Sequence, residues 1–364
     1  MDSETSDRYM QGLLDDQSLY PSIDVSGLRD RLFRLPGQCI EAWSKTKLLQ
    51  VNIDSREIKN VVIIGMGGSA IAGDLLIDMA SAQKTVPISV VRDFSLPMKI
   101  DSSTLVVACS YSGQTEETLA LYDEAASYGA KFLVIGSGGA LVNKAESKNE
   151  MILRVDLESE PRSAVAYSLV LLLGALSRLG VISVDGDDVR DSIAFLTATV
   201  NGLKEDVSYE TNLAKQLATN CLSKSPVIYG GGIFTGMARR WKTQINENSK
   251  LWAFYETIPE LLHNSIEAYA SAHNDEKFVI LLRPSIGDDR LLSRYDILGK
   301  MLSEYEIPFQ TIEGDSHSML SQILNMLALG DYVSYYLALV RGVDPSPNPV
   351  INRAKSFNDR ESIA

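Results

Sequence analysis

Short apolar runs alternate with amphipathic stretches along most of the chain. "NVVIIG" from Asn60, "VPISVVRD" from Val86, "STLVVACSYSG" from Ser103 and "KFLVIG" from Lys131 each read as a strand. Val61–Ile64 and Leu105–Ala108 contain no polar position, as strands buried on both faces do. Segments of helical length separate them, so the pattern predicts an α/β fold with doubly wound parallel sheets flanked by helices. The plan then returns. "SPVIYGGGIFTGMARRW" from Ser225 is again strand, glycine turn and helix, with Gly230 and Gly232 in the places of Gly65 and Gly67. "KFVILLRPSIGDDRLLSRYDIL" from Lys277 lines up with "LVVACSYSGQTEETLALYDEA" from Leu105. That alignment sets Ser285 opposite Ser112, and Tyr295-Asp296 opposite Tyr122-Asp123. "YEIPFQTIEG" from Tyr305 stands where "YGAKFLVIGS" stood. An internal duplication is the economical account, although shared strand–helix construction alone gives a weaker version of it.

The expected organisation is therefore N-terminal helices and a first unit over 1–160, linking helices over 161–222, a second unit over 223–342, and a C-terminal turn and short helix over 343–364. The most apolar stretch, Ser163 to Ser177, is about 15 residues, short of the roughly 20 that span a bilayer. It reads as a buried helix, and no membrane partner is expected. Pro259 is expected to break any continuous helix near Thr257.

Charge narrows the partners. Lys plus Arg number 34 against 47 Asp plus Glu, a net charge of −13. Such a balance argues against nucleic acid, which needs clustered basic residues, but leaves room for a small anionic ligand. Cys39, Cys109 and Cys221 are far apart and odd in number, fitting a reduced, cytoplasmic protein without a zinc cluster or disulfide framework. "MDSETSDRYM" lacks the basic and apolar regions of a secretory leader.

Several segments carry candidate chemistry. "GMGGSA", Gly65 to Ala70, follows a strand and opens a helix, where glycines let the backbone approach a phosphate or sugar. It also satisfies a dinucleotide pattern, with Asp93 after the second strand, so a nicotinamide ligand stays open beside a plain tight turn. Ser110, Ser112, Gly113 and Thr115 sit where a buried strand meets a helix, a place that binds anions without lysine. One hydroxyl would suffice as a cap, yet Glu116 and Glu117 suit a self-satisfied helix start. Both readings stand. Glu247 ends the helix "GMARRWKTQINENS", and His263 follows 16 residues on. Carboxylate and imidazole suit proton transfer, but Glu247 has no claim by itself, and His263, like His273 and His317, could be structural. Arg162 opens the apolar helix and calls for an anionic partner, Glu158 or Glu160 being the simplest. Met10, Trp241 and Trp252 read as core or surface fill.

Together "GMGGSAIAGD", "SYSGQTEET", "EPR", "NENSK", "PELLHNSIEAY" and "GDYVSYYLA…GVDP" resemble the sugar isomerase (SIS) domain, and more narrowly the bifunctional phosphoglucose/phosphomannose isomerases, from about Arg34 to Lys355. The resemblance implies two SIS units, a sugar phosphate bound between them, and a homodimer. It implies Ser110, Ser112 and Thr115 on the phosphate, with Ser69 and the Gly67–Gly68 backbone beside them. Glu247 would be the base shuttling a proton between C2 and C1, and Arg162 would steady the enediolate. His263 would open the sugar ring in the neighbouring subunit's site. Lys355 would be the family's late lysine, although "NRAKSF" is a loose version of its segment, and the C-terminal turn would pack at the active site. "RPSIGD" lacks the hydroxyl cluster, so one phosphate loop is expected. No cofactor or metal is implied. Three rivals stay open: a sugar-phosphate-binding regulator without turnover, an NAD-dependent oxidoreductase using Gly65–Ala70, and an aminosugar-phosphate isomerase of the same fold that differs mainly in what replaces the Glu247/His263 pair.

Overall fold

A computed structural model of the chain describes residues 11–83, 85–157, 159–270, 274–315 and 317–361, the side chains of 275 and 358–361 excepted. Met10, Glu158 and His273 lie outside the described residues. Helices α1 (Leu19–Ile23), α2 (Leu28–Phe33) and α3 (Leu35–Thr46) precede the first sheet. That sheet contains β1 (Asn60–Gly65), β2 (Ile88–Val91), β3 (Thr104–Cys109), β4 (Lys131–Gly136) and β5 (Met151–Arg154), with α4 (Gly67–Ala80), α5 (Glu116–Ser127) and α6 (Gly139–Ser147) between strands. Then α7 (Val165–Arg178), α8 (Gly186–Leu203) and α9 (Leu213–Cys221) lead to the second sheet. It is built from β6 (Ser225–Gly231), β7 (Phe254–Ile258), β8 (Lys277–Arg283) and β9 (Phe309–Glu313), with α10 (Thr235–Ser249) after β6 and α11 (Asp289–Glu304) after β8. Last come α12 (Met319–Val340) and α13 (Pro349–Glu361).

The strand orders repeat. The first sheet runs β2-β1-β3-β4-β5 and the second β7-β6-β8-β9, every pair parallel. The predicted α/β architecture with two parallel sheets is what the structure has. Gly67 and Gly232, aligned by sequence, share positive φ angles of 51° and 61°, a conformation costly for residues with a Cβ.

Two strands escape the sequence pattern. β5 and β7 are edge strands, each half exposed, with burial alternating or graded rather than continuous. An edge strand needs no unbroken apolar run. The helix before β7 ends at Ser249, as "GMARRWKTQINENS" predicts, with Lys250 turning left-handed at φ 54°. The chain then enters β7 before Pro259, so the stretch around Thr257 is strand and Pro259 has no helix to break.

One apolar cluster spans both halves, drawing on Val61 and Ile63, on Leu169–Leu173, and on Ile280 and Tyr335. α12 is long and apolar enough to cross a bilayer, yet its most apolar window is 89% buried within the molecule. It serves as a central core helix against α10. Their close crossing depends on Gly330, whose added Cβ would stand 2.3 Å from Trp241 Nε1. That indole donates to the Met326 carbonyl at 3.0 Å. α4 and α10 dock the two halves together, the Asp78 carboxylate accepting the Gly236 amide at 2.6 Å.

Candidate active site

β1 and β3 pair from Asn60↔Thr104 to Gly65↔Cys109, so the segments leaving their C-terminal ends emerge side by side. Ligands of parallel α/β sheets gather at that edge. The segment after β3 folds on itself. Ser110 is buried; its Oγ shares a 2.9 Å hydrogen bond with Thr115 Oγ1 and accepts the Gly113 amide at 3.1 Å. Ser112 Oγ accepts the Gln114 amide at 3.2 Å. Thr115 occupies the cap position of α5 but makes no side-chain cap hydrogen bond. Three hydroxyls therefore crowd a helix start without capping it. Gly113 is required there: at φ 64°, its added Cβ would lie 1.8 Å from the Gly138 carbonyl oxygen.

The aligned loop in the second half is closed. Asp288 caps α11 conventionally, its carboxylate accepting the Arg290 amide at 2.8 Å. Hydrogen bonds from the Arg290 side chain and amide pull its pKa down to about 2. A carboxylate already occupies the place an anion would take. Ser285 donates to the Asp315 carbonyl, and its amide is taken by Gln322 Oε1 at 2.9 Å.

The glycine turn after β1 leads to Arg162. An added Cβ on Gly68 would approach the Pro161 carbonyl oxygen to 2.7 Å, so that glycine answers to packing. Asp93, which a dinucleotide would need, is exposed, and its carboxylate accepts the Phe94 amide at 2.7 Å. Arg162, next to Pro161, is only 6% exposed. Its Nε donates to Asn248 Oδ1 at 2.8 Å, its Nη2 to the carbonyls of Pro345 (3.1 Å) and Ser346 (2.6 Å), and its Nη1 lies 3.8 Å from Glu247 Oε2. The expected partner Glu160 is not the one it takes. Glu160 pairs instead with Arg31, at 2.7 Å. Arg162 is a bridge from the glycine turn to Glu247.

Glu247 sits in the last turn of α10, a helix fixed against α12 by a buried network. Arg240 donates to Asp331 Oδ1 at 2.7 Å and to the Arg162 carbonyl at 2.7 Å, and Gln244 donates to the same Asp331 oxygen at 2.8 Å. Burial pushes the Asp331 carboxyl up and the Arg240 guanidinium down from their ordinary values. Asn248 is wholly buried and donates to Ser334 Oγ at 3.0 Å. Glu247 is thereby left at the solvent side of a rigid helix end, its side chain 29% exposed.

Ser110, Ser112 and Thr115 thus share one loop, Gly67, Gly68 and Ser69 the adjoining turn, and Arg162 joins that turn to Glu247. His263 and Lys355 stand apart. Both are exposed, and neither side chain forms a hydrogen bond or ion pair with another described residue. His317 lies elsewhere, beside Asp315 and 3.5 Å from the Phe195 ring centroid. Trp241 is core; Trp252 is surface, 77% exposed and stacked on Phe254. Two site residues escape sequence reasoning. Asn348 Nδ2 donates to Glu247 Oε2 at 3.2 Å, and Lys250 Nζ donates to Pro345 O and Asn348 Oδ1, each at 3.1 Å. Lys250 stands inside "NENSK", but nothing in that string says where an ammonium points.

Residues 210–357 match the family described as bacterial phospho-glucose isomerase C-terminal SIS domain. The chain is 36% identical over 330 residues to a bifunctional phosphoglucose/phosphomannose isomerase of Caldicellulosiruptor bescii, covering 90% of this chain and 97% of that one. It is 35% identical over 306 residues to the protein so named in Aquifex aeolicus, covering 83% and 91%. Among solved structures, a hypothetical protein of Thermus thermophilus superposes with a TM-score of 0.78 at 14% identity, covering 99% of this chain and 97% of that one.

Proposed function

Because the chain belongs to the bifunctional phosphoglucose/phosphomannose isomerase family, we propose that it interconverts fructose 6-phosphate with glucose 6-phosphate and mannose 6-phosphate. The single observation that carries this reading is Glu247, a carboxylate at a rigid helix end with the Arg162 guanidinium 3.8 Å from its Oε2. Aldose–ketose exchange removes a proton beside a carbonyl and returns it one carbon away. One carboxylate over one face of a cis-enediol does both. A fixed, desolvated cation stabilises the enediolate oxygen by several kcal/mol. Arg162 Nη1 is the donor free to do so, since Nε and Nη2 are already engaged.

In this reading Ser110, Ser112 and Thr115 hold the phosphate with the start of α5, beside Ser69 and the Gly67–Gly68 backbone. Phosphate binding far from C1 and C2 fixes the reacting carbons. Both aldoses are served when the intermediate rotates about C2–C3, presenting each C2 epimer's proton to Glu247. Proton transfer by Glu247 and charge stabilisation by Arg162 need no metal. The protein works as a homodimer in the cytoplasm, with His263 entering the neighbour's site to open the ring, and Lys355 acting beside it. An exposed imidazole with no hydrogen-bond or ion-pair partner among the described residues fits that assignment. The division at 1–160, 161–222, 223–342 and 343–364 is retained with this proposal.

The test is incubation of the purified protein with fructose 6-phosphate and EDTA, followed by NMR. Both aldose 6-phosphates are expected. Glucose 6-phosphate alone would reject rotation about C2–C3, and no product with the sugar phosphate still bound would point to a regulator.

A further inference from the structure

Three side chains from distant parts of the sequence converge on the short segment between α12 and α13. Arg162 donates to the carbonyls of Pro345 and Ser346, Lys250 to the Pro345 carbonyl, and Arg31 to Ser346 Oγ at 2.8 Å. Within the segment, the Ser346 amide donates to Asp344 Oδ1 at 3.0 Å. Pro345, Pro347 and Pro349 alternate with the other residues and restrict the backbone. Such a segment has few conformations to lose when it is held.

Asn348 stands immediately before Pro349, the first residue of α13. An asparagine before a proline-started helix ordinarily turns its side-chain oxygen onto that helix's own amides. Here its Oδ1 accepts from Lys250 and its Nδ2 donates to Glu247 Oε2. Both contacts to the carboxylate, from Asn348 and from Arg162, fall on Oε2. Oε1 has no hydrogen-bond partner among the described residues.

We propose that Asp344–Asn348 is a positioning strap for the Glu247 carboxylate, with Asn348 anchoring Oε2 so that Oε1 carries the proton, and Lys250 holding the strap down. The strap deepens the isomerase reading, and its kinetic consequences rest on that reading. A base serving two neighbouring carbons gains from losing its torsional freedom, because small misplacements of a reacting group cost large factors in rate. Lys250 contributes its ammonium at the C-terminal end of α10, where it also donates to the Glu247 carbonyl. Burial, then the Arg162 guanidinium, lower its pKa to about 8, opposed by Asp344 and Glu247. Above that pH the strap loses a charge-assisted contact.

Two measurements on the full-length protein test the strap. In the first, fructose 6-phosphate turnover is followed from pH 5 to 10. Asn348→Ala should lower kcat about tenfold or more with KM within about twofold. Asn348→Asp should move the acid limb of the profile to higher pH, because like charges at hydrogen-bond distance oppose ionisation. Lys250→Arg should remove the alkaline fall near pH 8. In the second, hydrogen exchange is compared for wild type and Lys250→Met, and amides of residues 344–352 should exchange faster in the variant. The proposal is overturned by an Asn348→Ala kcat within twofold of wild type together with an unmoved acid limb in Asn348→Asp. Unchanged exchange in Lys250→Met overturns it as well. A wild type that turns over no hexose 6-phosphate, yet shows the faster exchange in Lys250→Met, would sink the isomerase reading and leave the strap standing.

Discussion

Glu247 and Arg162 show how little a residue's identity says about its role until its neighbours are fixed. A carboxylate 29% exposed at a helix end is ordinary. It becomes a candidate base because the guanidinium facing it is buried and held by three acceptors besides, leaving one nitrogen for a substrate oxygen. The role assigned to Glu247 predicts a clean separation. Glu247→Gln keeps an acceptor for Asn348 and the shape of the site, so calorimetric binding of glucose 6-phosphate should survive. Turnover should fall by roughly two to four powers of ten. A variant within tenfold of wild type would remove Glu247 from the chemistry. At this scale the hydroxyl loop is legible in the sequence, because three hydroxyls around a glycine exceed what a cap requires. Thr115 leaves its cap position unused, which the proposed phosphate loop requires. Asn348 and Lys250 are not legible, since their importance lies in contacts across 101 and 98 residues.

At the scale of elements, the docking of α4 on α10 carries a titratable group. Burial lifts the Asp78 carboxyl to about pH 7, reinforced by Asp74 and opposed by the Gly236 amide and Arg239. Unfolded, an aspartate titrates near about 3.9. Between roughly pH 4 and 7 the folded state therefore binds the extra proton, and the wild type should lose stability as pH rises through that window. Above it the penalty is constant. Asp78→Asn keeps the acceptor for Gly236 and removes the cost. Its advantage in urea unfolding should be negligible near pH 4 and reach ~1–3 kcal/mol by pH 8. Equal stabilities at pH 8 would show that Asp78 ionises there without penalty. Elements also explain the two strands that the pattern hides. β5 and β7 lie at sheet edges, where half-exposure erases the apolar run that announces β1, β3 and β8.

At the scale of the molecule, two units of like strand order differ in what occupies their loop ends. The first leaves its helix start uncapped among hydroxyls, and the second fills the equivalent place with Asp288. The proposed site accordingly uses one phosphate loop and takes its base from the other half. His263 lies outside it in a single chain, so the homodimer proposal makes a specific forecast. Glu247→Gln and His263→Ala, each inactive alone, should regain about a quarter of wild-type activity after mixing and subunit exchange. That fraction follows because half the molecules become hybrids and each hybrid carries one intact site. No recovery from a mixture that sedimentation proves to be exchanged dimers would place His263 in its own subunit's chemistry.

The chain's own pattern determined the architecture. Parallel buried strands need continuous apolar runs, glycine turns need glycine, and both can be read residue by residue. The pattern also marked which strand–helix junction was unusual. Tertiary structure alone decided which of 47 acidic residues faces Arg162, that Arg162 is tied to the C-terminal segment rather than to Glu160, and that Asn348 reaches back to Glu247. Those contacts join residues far apart in sequence. Only the packing of α10 on α12 and the path of the chain beyond Val340 bring them within hydrogen-bonding distance.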